Sequence, residues 1–128
     1  MSAAYHQPVL VQEICAALLP PLLAAHAPVL VDCTTGGAGH TTALLQALAA
    51  QRPSDAIRPR CIGLDRDPAA LAFARARLET IPFPVELIHA PFSRLAEVLE
   101  AAGVTSVTAI LADLGVSSHQ LDTADRGF

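Results

Sequence analysis

The chain has 128 residues, of which 52% are hydrophobic and 16% are charged. That length suits one domain, and the apolar fraction excludes an intrinsically disordered chain. The 12 acidic residues outnumber the 8 basic ones and leave a net charge of -4, which excludes a protein that holds nucleic acid by charge alone.

Short apolar runs alternate with stretches of helical periodicity along the chain. An opening helix is predicted over residues 8–19, ended by Pro20 and Pro21. Four strands are predicted at 29–31, 61–64, 85–88 and 107–112. Helices fill the intervals between strands, one of them capped by Asp67 and another closed by Gly103.

Strands that are apolar almost throughout, separated by helices, predict a parallel sheet with helices on both faces. Right-handed crossovers then give a Rossmann-like α/β fold with strand order 3-2-1-4. The fourth strand stands at an edge of that sheet, and a bare apolar edge is a liability in a complete protein. We therefore expect residues 1–128 to be the N-terminal part of a larger domain whose later strands are absent.

Three of the four predicted strands end in a carboxylate, namely Asp32, Asp65 and Asp113. Ligands of open parallel sheets bind beyond the carboxyl ends of the strands. We therefore expect the three side chains to form a polar rim around one crevice.

A glycine-rich loop, Gly36, Gly37, Ala38, Gly39 and His40, joins the first strand to its helix. Glycines permit positive φ and a close approach of backbone to ligand, and the following helix directs its free N–H groups there. The spacing does not match the dinucleotide fingerprint, and the chain has no lysine for a Walker A loop.

A carboxylate at the end of the second strand can accept hydrogen bonds from both hydroxyls of a ribose. Asp65 therefore predicts an adenosine-containing ligand, against whose base the ring of Phe92 can stack. An Asp65–Asp67 metal site is disfavoured because Asp67 is better placed as a helix N-cap. A hydrolase based on Ser118 and His119 is disfavoured because no nucleophile elbow surrounds the serine.

Taken together, the segments at 6–10, 32–40, 63–68, 113–122 and 126–128 resemble the RsmH (MraW) methyltransferases. The run from Asp113 to Gln120, Asp-Leu-Gly-Val-Ser-Ser-His-Gln, is the most specific of them. The resemblance implies methyl transfer from S-adenosylmethionine to the N4 amine of a cytosine in 16S rRNA of the small ribosomal subunit.

By the same resemblance, each site residue receives a role. Ala38, Gly39 and His40, with Gly37 beside them, would contact the methionine end of the cofactor. Asp65 would hold the ribose and Phe92 would lie against the adenine, while Asp113 and Gln120 would complete the pocket. Asp113 is also the expected catalytic residue, and no metal is implied.

Two other functions stay open: a nicotinamide-dependent oxidoreductase, and a non-catalytic fragment whose bare fourth strand pairs with a partner. The sequence also leaves a homodimer open. The N-terminus lacks the basic start and apolar run of a signal peptide, and the three cysteines are widely spaced. We therefore expect a soluble cytoplasmic protein with reduced thiols.

Overall fold

The computed structural model describes residues 11–36 and 38–113. Helices and strands alternate through these ranges, as the sequence predicts. In chain order they are α1 (Val11–Ala24), β1 (Val29–Asp32), α2 (Gly39–Gln51), β2 (Arg60–Asp65), α3 (Pro68–Arg77), β3 (Val85–His89), a 3-10 turn (Phe92–Arg94), α4 (Leu95–Ala101) and β4 (Ala109–Leu111).

The four strands form one parallel sheet in the order β3-β2-β1-β4, which confirms the predicted topology. The register places Asp32 at the end of β1 level with Gly63 in β2 and with Leu111 in β4. The carboxyl ends of the strands therefore meet at one edge, with β1 between β2 and β4.

Each face of the sheet carries its own apolar core, so the prediction of helices on both faces is confirmed. On one face, α1, α2 and α3 pack against alternate strand residues such as Leu30 and Cys61. On the other face, α4 packs against Val31 and Ile62. Neighbouring residues of one strand point to opposite faces, which is why both need to be apolar.

The first helix does not end at the two prolines, and that prediction is wrong. Helix α1 continues through Pro20 and Pro21 to Ala24. Both prolines are exposed, while Leu22 is completely buried and Leu23 packs against the same core. Burial of these leucines offsets the hydrogen bonds that the prolines cannot make.

The end of α1 is held by the side chain of Arg52, which follows α2. Its Nη1 donates to the carbonyl of Ala25 at 3.1 Å, and its Nη2 donates to that of His26 at 2.9 Å. Longer contacts of 3.5 Å reach the carbonyls of Leu22 and Leu23. Because the last carbonyls of a helix have no partners within it, a single guanidinium here satisfies several of them.

Replacing Arg52 with methionine is expected to lower the free energy of unfolding by about 2 kcal/mol, since hydrogen bonds to a charged donor are lost while the apolar stem is retained. Urea denaturation measures the change. Arg58→Met, at an exposed arginine of the following loop, is the matched control and should leave stability nearly unchanged. Equal stability of the two variants would contradict the capping role.

Within the described ranges, none of the helices combines the length and the apolar character that crossing a bilayer requires. The three cysteines, Cys15, Cys33 and Cys61, are free thiols.

Candidate functional site

The loop after β1 is joined by hydrogen bonds to both neighbouring strands. The amide of Cys33 donates to the carbonyl of Leu111 at 2.8 Å, on the β4 side. The amide of Thr35 donates to the carbonyl of Leu64 at 2.9 Å, on the β2 side. This loop therefore lies at the carboxyl edge of the sheet, in the position predicted for a binding crevice.

Asp65, the last residue of β2, holds two backbone amides with its carboxylate. Its Oδ2 accepts from the amide of Gly36 at 2.8 Å, and its Oδ1 accepts from the amide of Asp67 at 2.9 Å. The residue is only half-buried. Since each carboxylate oxygen has a second lone pair, both oxygens are still able to accept donors from a ligand.

The neighbouring carboxylate of Asp67 has the structural role that the sequence predicts. It is 2% exposed, and its Oδ1 accepts from the amide of Ala69 at 3.0 Å, which caps helix α3. Within the described ranges, no group of three or more His, Cys, Asp and Glu side chains is arranged to hold a metal ion.

Asp32 does not join the rim, and the expectation of a polar rim of three carboxylates is wrong for this residue. Only 2% of it is exposed. Its Oδ2 accepts from the hydroxyl of Thr41 at 2.5 Å and its Oδ1 from the amide of Thr34 at 3.0 Å. Asp32 thus connects the loop to the first turn of α2.

Burial raises the pKa of Asp32 to about 6. The hydrogen bonds from Thr41 and Thr34 and the charge of His40 act in the opposite direction, and the charge of Asp65 adds to the rise. Desolvation is the largest of these effects, because the ionised form loses the water that would solvate it.

The glycine-rich loop adopts positive φ at two of its described positions, and its composition predicts this for the glycine but not for the alanine. Gly36 has a φ of 53° and Ala38 a φ of 64°. Ala38 is fully buried, and its amide donates to the carbonyl of Thr35 at 2.8 Å. A left-handed conformation is unfavourable for alanine, so the surrounding contacts impose it. Helix α2 then begins at Gly39.

Asp113 lies on the other side of β1 from Asp65. Gly63 in β2, Asp32 in β1 and Leu111 in β4 lie level with one another. Asp65 follows Gly63 by two residues, and Asp113 follows Leu111 by two residues. Since neighbouring strands are about 4.8 Å apart, β2 and β4 are separated by about 10 Å across β1. Asp113 is exposed, and its amide donates to the hydroxyl oxygen of Thr34 at 2.6 Å. The two carboxylates therefore flank the loop.

The predicted adenine contact, Phe92, begins the 3-10 turn after β3 and is 52% exposed. Strand β3 pairs with β2, with His89 level with Asp65. The structure thus brings Phe92 to the same edge as Asp65, Asp113 and the loop. Two other predicted site residues, Gly37 and Gln120, lie outside the described residues.

Gly63 is a further residue of this site, one that no motif of the sequence indicates. A Cβ at this position would stand 2.6 Å from Thr35 Oγ1 and 2.9 Å from Leu87 Cδ2. The bare backbone of Gly63 therefore makes room for the side chain of Thr35, whose hydroxyl donates to the carbonyl of Leu64 at 2.9 Å. The available signal was a glycine inside a strand, which often marks a close approach.

Gly63→Ala is expected to lower the free energy of unfolding by about 1–3 kcal/mol, because the added methyl displaces Thr35 or Leu87. Urea denaturation of a double-mutant cycle checks the cause. In a Thr35→Ala background the same glycine substitution should cost clearly less, since the closest contact is gone. A cost unchanged by Thr35→Ala would contradict this assignment.

Both the sequence and the fold of the chain are similar to those of known proteins. Residues 3–128 match the model of the MraW methylase family. The protein of Streptomyces avermitilis named Ribosomal RNA small subunit methyltransferase H is 44% identical over 128 residues, which cover 100% of this chain and 37% of that protein. The protein of the same name from Clavibacter michiganensis is 43% identical over 123 residues, or 96% of this chain and 36% of that protein. The chain thus spans about a third of the length of the curated relatives that it matches.

Two solved structures share the fold at low sequence identity. One is a Listeria monocytogenes protein assigned to the class I S-adenosylmethionine-dependent methyltransferases, with a TM-score of 0.63, 21% identity, and coverage of 89% of this chain and 33% of that one. The other is an rRNA methylase from Streptococcus thermophilus, with a TM-score of 0.56, 19% identity, and coverage of 97% and 64%. These likenesses confirm the predicted Rossmann-like fold of the class I methyltransferases.

Proposed function

The chain belongs to the MraW methylase family, and we propose that it forms the N-terminal, cofactor-binding part of a methyltransferase domain. The enzyme would transfer a methyl group from S-adenosylmethionine to the N4 amine of a cytosine in 16S rRNA of the small ribosomal subunit. The observation that carries this proposal is the half-buried carboxylate of Asp65, which stands across β1 from Asp113 at the carboxyl edge of the sheet.

The described residues fit an adenosine-containing cofactor. Asp65 keeps a lone pair on each oxygen for the two ribose hydroxyls, beyond those that hold Gly36 and Asp67. The exposed ring of Phe92 offers a face on which adenine can stack.

The methionine end is assigned to the start of α2. Gly37, Gly39 and His40 would line it, with the fully buried Ala38 supporting them. The positive end of the helix dipole favours a carboxylate there. Ala38 makes no side-chain cap on the first turn of α2. Asp113 and Gln120 would close the pocket on the β4 side.

The sulfonium of a bound S-adenosylmethionine supplies an electrophilic methyl group. An exocyclic amine then needs mainly alignment with the S–CH3 bond and relief of the positive charge that develops on nitrogen. Asp113 is exposed at the end of β4, where its carboxylate can accept a hydrogen bond from the amine. That contact would orient the amine lone pair toward the methyl group and stabilise the growing charge. As the N–C bond forms and the S–CH3 bond breaks, S-adenosylhomocysteine would leave, and the surplus amine proton would pass to the exposed Asp113 carboxylate and on to solvent.

Calorimetric titration of the chain with S-adenosylhomocysteine and, separately, with NADH tests the cofactor assignment. Saturable binding of S-adenosylhomocysteine and none of NADH is expected. Saturable binding of NADH alone would favour the nicotinamide-dependent oxidoreductase and would contradict the proposal.

The reaction itself is tested by tritium transfer from S-adenosylmethionine to small ribosomal subunits. We expect no transfer by the 128 residues alone, because a net charge of -4 is unsuited to docking RNA. A chimera that carries this chain in place of the matching segment of the Streptomyces avermitilis relative should form N4-methylcytidine, and its Asp113→Ala variant should not. Methylation of another atom by the chimera would contradict the assignment to N4.

The remaining expectations follow from this function. A substrate in the small ribosomal subunit implies a cytoplasmic location, which imaging of a tagged chain would test. The homodimer stays a prediction, to be tested by sedimentation equilibrium.

A further inference from the structure

The hydroxyl of Thr34 extends the hydrogen bonding between β1 and β4 beyond the end of β1. Strand β1 ends at Asp32, level with Leu111, and the amide of Cys33 donates to the carbonyl of Leu111. In a continuing parallel ladder, the next amide of the β4 segment, that of Asp113, would donate to the carbonyl of Cys33. Instead it donates to Thr34 Oγ1 at 2.6 Å.

Thr34 is itself held in place by a buried group. Its amide donates to Oδ1 of Asp32 at 3.0 Å, and the other oxygen of that carboxylate binds Thr41 in the first turn of α2. The backbone of Thr34 is thus tied to the core and to α2, while the residue itself is only half-buried.

The same loop is fixed on its other side by Asp65. The amide of Gly36 donates to Asp65 Oδ2 at 2.8 Å. The span from Asp65 through Gly36 and Thr34 to Asp113 is therefore continuous, with a hydrogen bond at each end.

We propose that Thr34 is a positioning residue, whose hydroxyl sets the place of Asp113 relative to Asp65 across the binding crevice. The inference rests on the proposed function, in which Asp65 holds the ribose and Asp113 stands beside the transferred methyl group. Thr34 contacts neither the ribose nor the amine in this scheme, and it acts through the backbone of Asp113.

Two variants of the full chain separate the hydroxyl from the rest of the side chain. Thr34→Val keeps the branched shape and removes the acceptor, whereas Thr34→Ser keeps the acceptor and removes a methyl group. The first readout is amide hydrogen exchange measured by NMR. Exchange at Asp113 should accelerate about tenfold in Thr34→Val, consistent with the loss of one hydrogen bond. The amides of Thr35 and Gly36, which have other acceptors, should exchange as in the wild type.

The second readout is calorimetric binding of S-adenosylhomocysteine. The dissociation constant is expected to rise about tenfold in Thr34→Val, and Thr34→Ser should restore both the binding and the exchange. Urea denaturation of the same variants shows whether the fold is retained. If Thr34→Val lowers overall stability, Thr34→Ser still distinguishes hydrogen bonding from packing. Serine restores the hydroxyl but not the lost methyl group, so it would not restore binding and exchange if Thr34 acted through packing alone.

Unchanged exchange at Asp113 in Thr34→Val, or unchanged affinity despite faster exchange, would overturn the inference. Failure of the wild-type chain to bind S-adenosylhomocysteine would instead contradict the proposed function. In that case the exchange rates alone would confirm or overturn the contact between Thr34 and Asp113.

Discussion

Replacing Asp65 with asparagine is expected to weaken the binding of S-adenosylhomocysteine about 100-fold, measured by calorimetry. Two charge-assisted hydrogen bonds to the ribose are at stake, and together they are worth about 3 kcal/mol. Asparagine also places an NH2 group against a backbone amide, either that of Gly36 or that of Asp67, because both carboxylate oxygens already accept one. The substitution therefore disturbs both the ligand contact and the loop.

Asp55→Asn is the matched control for this change. Asp55 is exposed in the loop between α2 and β2, so its substitution removes the same charge without touching the crevice. It should leave the dissociation constant within about twofold of the wild type, since surface charges at a distance are screened by salt. Wild-type affinity in Asp65→Asn would remove Asp65 from the ribose site.

The second large effect is a pH dependence of stability that originates in Asp32. Burial raises its pKa from 3.8 to about 6, so the folded chain binds this proton more tightly than the unfolded chain does. The preferential binding of this proton adds to the free energy of unfolding, and its contribution is fully present below pH 3.8. The contribution is lost as the pH rises through about 6, by about 3 kcal/mol in all. The value of about 6 already includes the effects of the groups around this carboxylate. Three of them lower the pKa and one raises it, namely Thr41, Thr34 and His40 on the one hand and Asp65 on the other.

Asp32→Asn is expected to remove this dependence. The amide oxygen can accept from the amide of Thr34, and its NH2 group can donate to the hydroxyl of Thr41, so both contacts have a counterpart. Urea denaturation between pH 4 and pH 7 should show the variant gaining stability relative to the wild type as the pH rises. A difference between the two proteins that is independent of pH would rule out Asp32 as the source.

In the first helix, tertiary packing overrides the local preference of the sequence. Pro20 and Pro21 indicated a helix end because each lacks an amide donor. The helix continues because its next residues, Leu22 and Leu23, pack into the core formed with α2, and Arg52 holds its last turn. Helix α2 and Arg52 both lie far from the prolines in sequence. The residues around the prolines therefore do not show that packing outweighs their local preference for a helix end.

In the candidate site too, some roles depend on neighbouring residues of the sequence and others on tertiary packing. The sequence predicts the N-cap at Asp67 correctly, because capping depends on residues within one turn. The sequence also predicts that Asp32 lies beside Asp65 and Asp113, because the ends of strands indicate which residues share an edge. Whether a carboxylate at that edge faces the crevice or the core depends on Thr41, which lies nine residues later, and on the path of the loop.

By itself the sequence determined the class of fold, the order of the strands and the edge at which the polar residues gather. Those properties follow from the alternation of apolar runs and helical stripes, and from the handedness of crossovers. Only the tertiary structure decided that Asp32 is an internal support, that Ala38 takes a left-handed conformation, that Gly63 makes room for Thr35, and that Thr34 reaches Asp113. Each of these depends on distances between segments far apart in the chain, which are fixed only when the sheet and its helices pack together.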